Sequence, residues 1–203
     1  MKTGKPIIGL AGGIGSGKST IASILSDLGA GVISSDKLNH EELNTPEVVD
    51  CLRRWWGERV ITPNGRADRD AIRGIVTDDQ QARRQLEKLV HPRIIRRQND
   101  LIANYLVDPN ISAIVLDVPL LYEVGLVDKC DCVIYVEADA EVRLARVSRD
   151  RDWTAEDLKR LEKSQLSLAT KRKNADYIVV NNSDITSLRR EVEDVFSRIL
   201  SGS

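Results

Sequence analysis

Five short apolar runs punctuate the chain: Ile7–Ala11, Gly31–Ser34, Ala113–Val118, Cys132–Val136 and Tyr177–Val180. Each is rich in Val and Ile with little polar alternation, the pattern of a parallel strand covered on both faces. Between them the period changes. Ile21, Ile24, Leu25 and Leu28 recur at i, i+3, i+4, i+7, and Leu188, Val192, Val195, Phe196 and Ile199 repeat a helical stripe near the C-terminus. Strands alternating with helices predict right-handed βαβ units and an α/β domain built on a doubly wound, five-stranded parallel sheet.

The spacing is uneven. About eighty residues separate the second and third runs, far more than one crossover needs. This stretch holds Trp55, Trp56, a Pro63-Asn64-Gly65 turn and a basic helical segment around Arg83–Arg97, and it predicts a helical insertion able to cover a second substrate. His91-Pro92 predicts a helix boundary or bend there, because a residue before proline disfavours the α region. A second helical stretch, Thr154–Ala169, separates the fourth and fifth runs.

Composition narrows the function classes. The 203 residues fit one domain with an insertion, and 30 basic residues nearly cancel 31 acidic ones. That balance gives no global pull towards nucleic acid or an anionic membrane, so no nucleic-acid partner is expected. No run reaches signal-peptide or membrane-spanning length, and the expected location is cytoplasmic without a membrane partner. Cys51, Cys130 and Cys132 are an odd set with no second pair to complete a zinc knuckle, so free thiols are expected.

The chemistry begins at Gly12-Gly13-Ile14-Gly15-Ser16-Gly17-Lys18-Ser19-Thr20, which satisfies G-x-x-x-x-G-K-S between an apolar strand and an amphipathic helix. Glycines let the backbone wrap a phosphate, and the following helix adds its positive end. Gly13, Gly15, Ser16, Gly17, Lys18, Ser19 and Thr20 are the candidate ATP-binding residues. Lys18 is expected to reach the β- and γ-phosphates, and the Ser19 hydroxyl to ligate Mg²⁺. Asn181-Asn182-Ser183-Asp184 lacks the lysine of a guanine-reading N-K-x-D, which disfavours a GTPase.

Acidic residues stand at two strand ends, where ligands bind in open parallel sheets. Asp36 follows the second run and can accept a proton from an acceptor hydroxyl, or simply cap the next helix. Asp117 ends the third run and can hold Mg²⁺ or cap the strand. Leu120 and Leu121 fit either core packing or a pocket wall. From Arg143 to Lys173 ten basic residues face five acidic ones, with Arg143, Arg146 and Arg149 at i, i+3, i+6. Such a cluster can neutralise charge on a transferred phosphoryl group or form a solvated face paired with Asp150, Asp152 and Glu156. Trp55 and Trp56 fit the core better than an adenine platform, and His40 and His91 make no acid–base pair.

Together these residues resemble the dephospho-CoA kinase family. The resemblance runs from Ile8–Thr20 through Asp36, Asn64-Gly65-Arg66-Ala67-Asp68-Arg69 and His91-Pro92 to Asp117-Val118-Pro119-Leu120-Leu121-Tyr122-Glu123, the most specific match. Gln165, Lys171, Ala175-Asp176-Tyr177 and Asn181 complete it. It implies a three-layer P-loop kinase fold with a nucleotide core (about 1–36, 111–142 and 174–203), a helical CoA-binding insertion (about 37–110) and a lid (about 143–173). It implies transfer of the ATP γ-phosphoryl group to the ribose 3′-hydroxyl of dephospho-CoA, with ATP and dephospho-CoA as partners and Mg²⁺ as cofactor. Asp36 would be the base; Arg69, His91, Leu120, Leu121, Tyr122 and Glu123 would serve the acceptor; Arg146 would be a lid arginine, with Arg143 and Arg149 on the ATP side. Two positions depart from the pattern. Ser34 stands where the family usually has the first Asp of Asp-Ala-Asp. Asp150 stands where a second arginine is common, flanked by Arg149 and Arg151.

Overall fold

The computed structural model describes residues 4–163 and 165–202. Five strands, β1 (Ile7–Gly12), β2 (Ala30–Ser34), β3 (Ala113–Asp117), β4 (Cys132–Glu137) and β5 (Tyr177–Val180), form one sheet in the order β2-β3-β1-β4-β5. All four pairings are parallel, and each strand covers one of the predicted apolar runs. The order reverses beside β1, so the loop after β1 leaves the sheet at a topological switch point.

The helices are α1 (Lys18–Asp27), α2 (Ser35–Leu43), α3 (Pro46–Trp56), α4 (Arg69–Asp78), α5 (Gln80–Val107), α6 (Ala140–Arg151), α7 (Ala155–Glu162), α8 (Leu168–Lys173) and α9 (Ile185–Ser201). Their starts follow local chemistry. Asp68 accepts the Asp70 and Ala71 amides to begin α4, Thr154 and Asp157 close a capping box on α7, and Asp184 accepts the Thr186 and Ser187 amides to begin α9. Asp184 thus has a structural job in the segment that lacks the guanine motif.

The residues fall into two compact units. One contains the described residues up to Ser34 and those from Ala103 onward; the other is Ser35–Ile102. In the first, Ile8, Leu10, Ile21, Leu25, Val115, Ile134, Val192 and Phe196 join β1, β3 and β4 to α1 and α9. The second has its own core of Leu43, Val48, Leu52, Val60, Ile72 and Val90, with Trp55 and Trp56 packed against it rather than displayed as a platform.

Two expectations are narrowed. No helix boundary occurs at His91-Pro92, because α5 runs unbroken from Gln80 to Val107 with Pro92 inside it. Good helix formers on either side carry the helix past the one amide that proline removes. The helical stretch Thr154–Ala169 is two helices, α7 and α8, and Ser164 within it lies outside the described residues.

Cys51, Cys130 and Cys132 form no disulfide. Burial, with a smaller contribution from nearby carboxylates, pushes the Cys130 thiol up to about 11 and Cys132 to about 12, so both stay protonated at neutral pH. Among the described residues no helix is long and apolar enough to cross a membrane.

On β2, Gly31 is fixed by crowding: a Cβ there would lie 2.5 Å from the Tyr105 ring at the end of α5. Gly31→Ala is therefore expected to destabilise the protein by about 2 kcal/mol through overpacking, read as a lower urea midpoint. An unchanged midpoint would contradict the close packing of β2 on Tyr105.

Candidate active site

The loop between β1 and α1 is the centre of the first unit. It turns sharply, with a Ser16 amide to Gly13 carbonyl bond of 3.2 Å, and enters α1 through Gly17 at φ 89°. Gly17 needs its missing side chain twice over. That φ disfavours any Cβ, and a Cβ would run into the Asn181 amide nitrogen. Asn181, just past the end of β5 and 3% exposed, donates from Nδ2 to the Ser16 carbonyl at 2.8 Å. The Lys18 Nζ lies 3.1 Å from the Gly12 carbonyl and 3.2 Å from that of Gly13, folded back along the loop.

The arginines of α6 grip the same loop. Arg146 donates from Nη1 to the Ser16 carbonyl at 3.1 Å and the Gly15 carbonyl at 3.4 Å. From Nη2 it donates to the Asn181 carbonyl at 3.0 Å and the Asn181 Oδ1 at 3.1 Å. Arg143 is buried, donates to the Ile14 carbonyl at 3.2 Å and forms an ion pair with Glu162 of α7. Guanidinium groups that occupy loop carbonyls leave the loop amides available to an anion. Arg149 is different: it is exposed and bound to Asp150 at 2.7 Å. Arg151 lies over the Trp153 ring, 4.9 Å from its centroid. The i, i+3, i+6 series thus passes from a buried loop clamp to an exposed ion pair within two turns.

Asp117 ends β3 in register with Ser34 of β2 and with Leu10 of β1, two residues before the loop begins. Ser19 is exposed in the first turn of α1, followed by Thr20. A hydroxyl and a carboxylate are hard oxygen donors, and their positions at the start of α1 and the end of β3 suit Mg²⁺, which takes one or two protein ligands beside phosphates. Among the described residues no group of three or more His, Cys, Asp or Glu could form an all-protein metal cage.

Beyond β3 the motif residues divide. Leu121 is 2% exposed, and its side chain closes on β1 where Gly9 has no Cβ; Leu120 is 37% exposed. The Tyr122 hydroxyl donates to the Asn174 carbonyl at 3.1 Å. Burial first, then the carboxylate of Asp176 and nearby Cys130, push that phenol up. Glu123 accepts the Leu166 amide at 2.9 Å and pairs with Lys171 at 2.8 Å. Lys171 is 2% exposed and also donates to Gln165 Oε1 at 3.1 Å. The specific segment after β3 is therefore tied to α8 by an ion pair whose lysine is buried.

In the second unit, Asp36 sits exposed in the first turn of α2, Arg69 opens α4, and His91 is exposed on α5. Sequence reasoning gave no role to Glu162, Gln165, Lys171 or Asn181. A lysine with no neighbouring acid in sequence reads as a surface charge, since its partner Glu123 lies 48 positions away.

Burial alone would push the Glu123 carboxyl up, but Lys171 and the backbone amides hold it below its ordinary value. The pair's contribution is accordingly complete above about pH 4.5 and lost as pH falls through the lowered value. Lys171→Met is expected to cost about 2 kcal/mol at neutral pH, moderated because the Glu123 side chain keeps some solvent contact. The deficit should shrink once Glu123 protonates, as followed by denaturation at several pH values. A deficit independent of pH would contradict the pairing.

Comparison with known proteins agrees with this geometry. A dephospho-CoA kinase family model matches residues 6–187. The chain is 33% identical over 187 residues to the dephospho-CoA kinase of Fusobacterium nucleatum, covering 92% of this chain and 95% of that one. It is 36% identical to that of Aromatoleum aromaticum, covering 97% and 95%. Among known structures it resembles TT1252 from Thermus thermophilus (TM-score 0.77, 30% identity, coverage 97% and 98%) and dephospho-CoA kinase from Campylobacter jejuni (0.68, 26%, 97% and 98%). The phosphate loop with its arginine and asparagine clamp, together with this match over nearly the whole length, makes the chain a member of the dephospho-CoA kinase family, a family of P-loop kinases.

Proposed function

We propose that this chain transfers the γ-phosphoryl group of ATP to the ribose 3′-hydroxyl of dephospho-CoA, giving CoA and ADP. The observation that carries the reading is the clamped loop from Gly12 to Ser19 in a chain whose residues 6–187 match the family. In this reading Gly13, Gly15, Ser16, Gly17 and Thr20 bind phosphates through the loop and the first turn of α1, and Lys18 unfolds from its carbonyl contacts to meet the β- and γ-phosphates. Ser19 and Asp117 would hold Mg²⁺, which when bound offsets charge on the β- and γ-oxygens. Arg146 and Arg143 act by fixing the loop, with Arg149 at the outer rim of the ATP side.

Asp36 takes the proton from the 3′-hydroxyl as that oxygen bonds to the γ-phosphorus, and the bond to the β-phosphate oxygen breaks to release ADP. Arg69, His91, Leu120, Tyr122 and Glu123 serve the acceptor side, Glu123 from its anchor on Lys171, and Leu121 by supporting the segment from within the core. The nucleotide core is about 1–36, 111–142 and 174–203, with about 37–110 binding the CoA moiety and about 143–173 acting as lid. Free thiols are in keeping with work in the cytoplasm.

Asp36→Asn is expected to lower kcat at least about 100-fold while leaving ATP affinity intact, because it removes only the proton acceptor. Turnover with ATP, Mg²⁺ and dephospho-CoA, beside ATP titration calorimetry, reads both quantities. Full turnover in the variant would remove Asp36 from the chemistry.

A further inference from the structure

The guanidinium of Arg143 is packed against the phosphate loop as well as bonded to it. Gly13 shows this. Its φ is not positive, yet a Cβ there would lie 2.9 Å from Arg143 Nη1, 3.3 Å from Arg143 Cδ and 3.2 Å from Cδ2 of Leu168 at the start of α8. Gly13 is therefore a glycine because the arginine and α8 close on it, not because its own backbone demands one. From the same Nη1 the arginine donates to the Ile14 carbonyl at 3.2 Å. One side chain thus fills the space beside Gly13 and holds the carbonyl of the next residue.

Such a position is costly for a cation. Arg143 is 6% exposed, and its Nε is buried without a hydrogen-bond partner. One neutral carbonyl does not offset the desolvation of a guanidinium, and a buried charge is stable only where an opposite charge meets it. The acid that meets it is Glu162, the last residue of α7, whose Oε1 accepts from Nη1 and whose side chain is 25% exposed. The phenol of Tyr135 on β4 feels both of these charges and one other acid, Glu137. That carboxylate is already engaged by Arg172 at 2.9 Å.

We propose that Glu162 is a positioning residue for nucleotide binding, acting through Arg143 on Gly13 and Ile14 of the loop. The proposal rests on the nucleotide side of the reaction assigned above and adds a residue of α7 to it. With the Glu162 charge in place, the guanidinium stays between the loop and α8. Without it, an uncompensated guanidinium gains by turning towards water, which frees the Ile14 carbonyl and opens the space beside Gly13. The loop amides then meet the phosphates from a less ordered backbone, and ATP binding bears the cost of ordering it. Glu162 acts only through Arg143 and touches no phosphate itself.

Glu162→Gln keeps the shape of the side chain and one acceptor oxygen but removes the charge. It is expected to weaken binding of ATP with Mg²⁺ about tenfold by calorimetry, the scale of one charge-assisted contact, and to leave dephospho-CoA affinity nearly unchanged. Arg143→Gln should weaken ATP to a similar degree, and the double variant Arg143→Gln/Glu162→Gln should be no weaker than Arg143→Gln alone. A merely structural role would lower the urea midpoint and leave the ATP affinity of the folded protein where it was. Unchanged ATP affinity in Glu162→Gln, an additive loss in the double variant, or an equal loss for dephospho-CoA overturns the proposal. If Glu162→Gln does not fold, the two variants lacking Arg143 decide. An equal loss of ATP affinity in both sustains the proposal; wild-type affinity in Arg143→Gln, or a further loss in the double variant, rejects it. If the wild-type protein binds ATP but forms no CoA, the reaction assignment fails separately and the ATP comparison still stands.

Discussion

The backbone of one loop must turn through a left-handed residue and still stay rigid enough to hold phosphates, and much of the first unit is arranged to satisfy that demand. Gly17 supplies the turn. Asn181 fills the space that its absent side chain leaves and binds the Ser16 carbonyl, and Arg146 binds Gly15, Ser16 and Asn181 together. These contacts join the end of β5 and the middle of α6 to the loop after β1. A kinase gains from such preorganisation because it has little covalent chemistry to perform beyond positioning and charge stabilisation.

The same logic extends past β3. Leu121 is driven into the core against Gly9, which fixes the segment at one end. Glu123 is fixed at the other by Lys171 and the Leu166 amide. Between them, Tyr122 is tied to the Asn174 carbonyl. A segment held by a buried apolar side chain, a phenol and an ion pair keeps its shape without belonging to a strand or a long helix.

The strands were legible in sequence because a sheet covered on both faces requires unbroken apolar runs, and all five runs became strands. The phosphate loop was legible because its chemistry is local. What escaped was non-local. Arg143 and Arg146 look like an exposed basic face in one dimension, yet α6 turns them onto loop carbonyls more than a hundred positions away. The pairing of Lys171 with Glu123 is invisible for the same reason. At Pro92 one of the two offered outcomes failed: the helix boundary gave way to the continuity of a 28-residue helix. Arg66 and His40 were hard to pair from sequence as well, since they lie 26 positions apart and come within 3.5 Å of each other only in the fold.

The central claim is that the clamped loop delivers phosphate to an acceptor rather than to water. Phosphorus NMR of the protein with ATP, Mg²⁺ and dephospho-CoA measures this directly. The expected result is a new phosphomonoester resonance on the acceptor appearing in equal amount with ADP, and little ADP without acceptor. ADP and inorganic phosphate forming at the same rate with or without dephospho-CoA would contradict it.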